Sequence, residues 1–195
     1  MEKMAKWLTY YIAQKTCLDK EEKEVYCYGF QVGLEVILNT VISIFLSIYI
    51  GMFWQCILFF MFFIPLRSYA GGIHARRYLN CLLASCLSLT VILVMVKYIT
   101  IPWKLSVIIS CVCWGMLWFL SPVEGENRTL NIEEKVCYRK KVRWYISILI
   151  VLEVSFILYQ GNKIVMLITL ASVEACFSQI LELLRKNNLH KKNIK

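Results

Sequence analysis

The chain has 195 residues, 59% of them hydrophobic and only 18% charged, with a formal charge of +9. Soluble domains of this size run at about 45–50% apolar and about 25% charged. Here the apolar residues stand in long blocks, which excludes a water-soluble globular fold and points to an all-α polytopic membrane protein. The charge does not call for nucleic acid, because it lies between the blocks, where basic residues face an anionic inner leaflet.

In chain order, residues 1–25 come first. Met4, Trp7, Leu8, Tyr11 and Ile12 share one helical face, with Lys3 and Lys6 off it. That pattern suits an interfacial amphipathic helix, or equally a helix packed on the rest of the protein. Lysines interrupt the apolar residues and no small-residue cleavage pattern follows, unlike a cleavable signal peptide.

Six crossings are expected, at Val32–Ile50, Met52–Leu66, Leu79–Val96, Ile101–Leu120, Val142–Tyr159 and Ile164–Leu184. A straight crossing takes about 20 residues, so the second is short. Gly51, which divides it from the first, is a weak boundary that also allows one bent element. Nineteen of the 22 Lys and Arg residues fall before the first crossing, after the second, after the fourth or in the tail 185–195. The positive-inside rule then puts both termini in the cytoplasm of a multi-pass protein. Glu35, Asn39, Glu153 and Glu174 lie within or close to the crossings. Polar groups at that depth face protein or water, and carboxylates there are one mark of a transport path.

Between the second and third crossings the chain reads RSYAGGIHARRYLNC, Arg67 to Cys81. Pro65 and the pair Gly71-Gly72 argue against a continuous helix and for a broken segment at the inner membrane edge. A thiolate attacks amide carbonyls, and an imidazole can take the thiol proton and later protonate the leaving amine. Seven residues put His74 and Cys81 on one helical face but about 10.5 Å apart on a straight axis. A hydrogen bond needs roughly 3 Å between heavy atoms. The pair therefore requires a bend at the glycines, or a second subunit of a homodimer supplying one member. Against this stand buried or merely interfacial roles for both side chains. Arg76 and Arg77 would either favour the thiolate or reach out to the headgroups. HExxH is absent and the only other histidine is His190, so neither zinc hydrolysis nor any metal or cofactor is expected.

The stretch resembles the active-site signature of the AgrB (accessory gene regulator B) family: an arginine, a Gly-Gly turn, a histidine after one further residue, and a cysteine seven positions later. Arg67, Gly71, Gly72, His74 and Cys81 fit each place. The loop SPVEGENRTL is similar to the family's segment after its fourth crossing through Pro122, Glu124, Asn127 and Arg128. It departs mildly by having Arg128-Thr129-Leu130 where the family usually has a lysine and often a proline. The resemblance implies one domain over 1–195 in a bacterial cell membrane. It also implies a cysteine endopeptidase with Cys81 as nucleophile and His74 as general base and acid. The implied substrate is an AgrD-like pro-peptide with an amphipathic leader and an acidic C-terminal tail. An acyl-enzyme thioester would then be resolved into a thiolactone or lactone ring. The basic loop from Arg128 to Arg143, with Arg139, Lys140 and Lys141, is the candidate for holding the acidic tail. Arg67 is open to three roles: substrate carboxylate, oxyanion or headgroup anchor. A small peptide exporter using the intramembrane carboxylates, and a non-catalytic membrane scaffold, are the alternatives.

Overall fold

A computed structural model describes residues 2–13, 19–71, 78–123 and 131–193. Seven helices account for nearly all of them: α1 (Glu2–Ala13), α2 (Lys20–Ile50), α3 (Phe53–Ala70), α4 (Tyr78–Tyr98), α5 (Trp103–Leu120), α6 (Ile132–Leu158) and α7 (Asn162–Asn193). The protein is an all-α polytopic membrane protein. Helices α2 to α7 correspond in order to the six expected crossings. Four are long and apolar enough to cross a bilayer by themselves, over Val25–Ile50, Phe53–Ala70, Trp103–Leu120 and Asn162–Lys186, and Leu82–Tyr98 is a shorter apolar helix. Phe45, Trp54, Leu83 and Phe119 are well exposed on these helices, which acyl chains tolerate and water does not.

Local chemistry accounts for the boundaries. The Asp19 N–H donates to the Glu22 carboxylate at 3.0 Å and opens α2, and Asn131 N–H with Glu134 at 3.1 Å opens α6. Each pair satisfies a backbone donor that the first helical turn leaves unpaired. Gly51, at φ 77°, closes α2. Its N–H donates to Ile48 and that of Met52 to Ser47, at 3.0 and 2.8 Å, a Schellman termination. Gly51 thus separates two helices, and the single bent element does not form.

Pro65 does not end the second crossing, which runs on to Ala70. A proline lacks the N–H that would pair with the carbonyl four residues back. Here the Tyr145 hydroxyl of α6 donates to the Met61 carbonyl at 2.7 Å and takes over that bond. The eighteen residues of α3 span about 27 Å, close to a full hydrocarbon core.

Helix α7 is central, packing against α3, α4, α5 and α6, while α2 packs against α1, α3 and α4. Phe62 and Leu66 of α3, Leu93 of α4, Leu117 of α5, Ile146 and Leu149 of α6, and Met166 to Ile168 of α7 form the shared core. On α1, Ala5 and Thr9 are buried whereas Met4, Trp7 and Tyr10 are exposed. The helix therefore packs on α2 through its small residues and leaves an aromatic face open, with the Trp7 and Tyr11 rings 6.1 Å apart.

Candidate functional site

The Lys97 ammonium, near the end of α4, donates to the Ile50 carbonyl at the end of α2. That contact lies beside the start of α3, so α4 begins at the end of the bundle where α3 finishes. The Arg67–Cys81 motif therefore joins two neighbouring helix ends. Its first part is the last turn of α3 and its last part the first turn of α4.

The exit of α3 is held closely. Gly71 has φ 78° and ψ 175°, and its N–H donates to Arg67 O. A Cβ added there would lie 2.1 Å from the Val123 carbonyl oxygen. Positive φ and close approach both demand glycine. Beside it the Ala70 carbonyl accepts two donors, the Val123 N–H at 2.9 Å and the Gln179 Nε2 at 2.6 Å. Gln179 Nε2 also donates to Ser121 Oγ at 2.9 Å. The Ser121 carbonyl in turn accepts from Arg139 Nε at 3.2 Å. One node thus ties together the ends of α3 and α5, the first half of α6 and the middle of α7.

Arg67 faces this node. Its guanidinium donates to Ser178 Oγ on α7 and sits 5.9 Å from the Phe63 ring centre. One turn past Gln179, Glu182 is buried, with Arg185 3.7 Å from its carboxylate.

Cys81 is the fourth residue of α4; its side chain, like His74, Gly72 and Arg128, lies outside the described residues. The backbone placement still matters, because the first four N–H groups of a helix lack internal partners and favour negative charge. The basic stretch after α5 is largely helical rather than a loop, since α6 begins at Ile132. Arg139, Lys140 and Lys141 stand exposed on its first half. The Lys141 ammonium lies 5.3 Å from the Tyr69 ring centre and 5.8 Å from that of Tyr138, which keeps it at the end of α3.

Glu35 and Glu153 have separate partners. Glu35 on α2 accepts from Gln31 of its own helix at 3.2 Å. Glu153 is buried between α5, α6 and α7, where Ser110 donates to it at 2.9 Å and Thr169 at 3.5 Å. Helix α2 itself packs on α1, α3 and α4. Among the described residues no group of three or more His, Cys, Asp and Glu is placed to hold a metal.

A family model described as AgrB, accessory gene regulator B, matches residues 5–181 and so includes the whole motif. The chain belongs to the accessory gene regulator B family. No curated protein and no solved structure gives a match. As an AgrB protein it has a role in accessory gene regulator peptide processing, in a family that acts on AgrD-like precursor peptides. Sequence reasoning missed Ser178 and Gln179, the α7 residues that bond to Arg67 and Ala70 of the motif, and the buried Glu182 one turn further on. Their only signal is three polar side chains at i, i+1 and i+4 near the end of an apolar span.

Proposed function

We propose that this AgrB protein is a membrane-embedded cysteine endopeptidase that cuts a small AgrD-like precursor and keeps the cleaved bond's activation for ring closure. The observation that carries the reading is the family match across residues 5–181, with Arg67, Gly71, Gly72, His74 and Cys81 all in the family's pattern. The start of α4 at Tyr78 adds support, because it puts the Cys81 backbone in a first turn that favours a thiolate.

In this mechanism His74 takes the Cys81 proton, and the thiolate attacks the carbonyl joining the signal segment to the acidic tail. The C–N bond breaks, the imidazolium returns its proton to the leaving amine, and a thioester remains on Cys81. A cysteine thiol or serine hydroxyl of the bound peptide then attacks that thioester. The ring closes, and the Cys81 sulfur leaves to recover a proton. A held internal nucleophile outcompetes water through its effective concentration.

The reaction is assigned to the cytoplasmic edge of a bacterial membrane, because nineteen of 22 basic residues belong to that side. Exposed Arg139, Lys140 and Lys141, with Arg128, suit an acidic tail. The test is cleavage of a tailed precursor in proteoliposomes. C81A and H74A should each abolish it while inserting normally; cleavage by C81A at the wild-type rate would overturn the reading.

A further inference from the structure

We propose that Gln179 is a positioning residue for precursor cleavage, fixing where the Arg67–Cys81 motif leaves the bundle; the inference rests on the peptidase reading above. The Ala70 carbonyl can only accept hydrogen bonds, so the carboxamide must turn its Nε2 toward it. The second hydrogen of the same nitrogen goes to Ser121 Oγ. Gln179 Oε1 is buried and has no hydrogen-bond partner among the described residues. The two donated bonds therefore fix which way this carboxamide turns.

Their location gives the arrangement its meaning. Ala70 is the last residue of α3, next to Gly71, and Ser121 is the first residue after α5. The node does not hold the helices together in general. Val165 to Ile168, Ala171 and Ala175 already bury α7 in the apolar core further along. What Gln179 adds is registry at the motif itself, where Val123 N–H and O both close on the Ala70-Gly71 pair. An ionised glutamate of the same length offers only oxygens to an acceptor and cannot make the Ala70 bond. Alanine offers nothing. Both variants leave the reacting groups present and loosen their placement, and a displacement of about 1 Å can lower a rate about a hundredfold.

The experiment compares wild type, Q179A, Q179E, S172A and C81A in proteoliposomes, measuring kcat and KM for cleavage of a synthetic tailed precursor. Ser172 lies two turns back on α7 and pairs with Trp114, so S172A reports on α7 packing alone. The expected result is a kcat lowered about a hundredfold in both Gln179 variants, with KM within twofold and S172A unchanged. Wild-type kcat in Q179E and Q179A, with C81A inactive, would overturn the inference and leave the peptidase reading standing. An equal loss in S172A would overturn it too, by showing general destabilisation. Full cleavage by C81A would remove the peptidase reading and this role with it.

Discussion

Gly71→Ala gives the sharpest physical test of the motif's geometry. At φ 78° and ψ 175° the residue occupies a region that is essentially glycine's alone, and an added side chain costs about 1–3 kcal/mol in strain there. The new methyl would also stand 2.1 Å from the Val123 carbonyl oxygen. That oxygen belongs to backbone, so the 121–123 segment must withdraw. Withdrawal breaks the bond from Val123 N–H to Ala70 O, at about 0.5–1.5 kcal/mol. Together these predict a destabilisation of about 1.5–4.5 kcal/mol. Gly29→Ala is the matched control, since nothing lies within 4 Å of a Cβ there and alanine is the better helix former. The assay is unfolding in mixed micelles followed by far-UV circular dichroism, with precursor cleavage measured on the same preparations. G71A should unfold earlier and cleave at least tenfold more slowly, while G29A should do neither. A G71A protein that unfolds and cleaves like wild type would refute the reasoning.

Three other outcomes are expected. Tyr145→Phe removes the donor that replaces the missing Pro65 N–H and should cost about 1 kcal/mol in the same unfolding assay. Glu153→Gln keeps an acceptor for Ser110 and Thr169, so precursor cleavage should stay within twofold of wild type. Lost peptide release with intact cleavage in E153Q would instead favour a transport role. Reversing Lys140 and Lys141 to Glu should raise KM for the acid-tailed precursor several-fold in low salt, with the difference shrinking as salt screens it. An unchanged KM would remove these residues from tail binding.

Much of the fold was legible because hydrocarbon imposes a plain rule: continuous apolar blocks become helices. The misplaced boundaries have physical causes. Pro65 reads as a stop, and only the Tyr145 hydroxyl, eighty residues away in sequence, lets α3 continue. The basic stretch reads as a loop, yet Asn131 and Glu134 start a helix through it. At the candidate site, Gly71 reads as a break in the helix, and it closes α3 at φ 78°. Gln179 was not legible. A glutamine near the end of an apolar helix says nothing about which carbonyl it will meet until α3 and α5 are packed beside it.

The account stands most directly on the covalent intermediate. Rapid mixing of the proteoliposomal protein with precursor, acid quenching and intact-mass measurement should find an adduct of the signal-bearing fragment on Cys81. It should be released by hydroxylamine, as a thioester is, and be missing from C81A. Cleavage that proceeds with no such adduct, or an adduct that persists in C81A, would contradict the account.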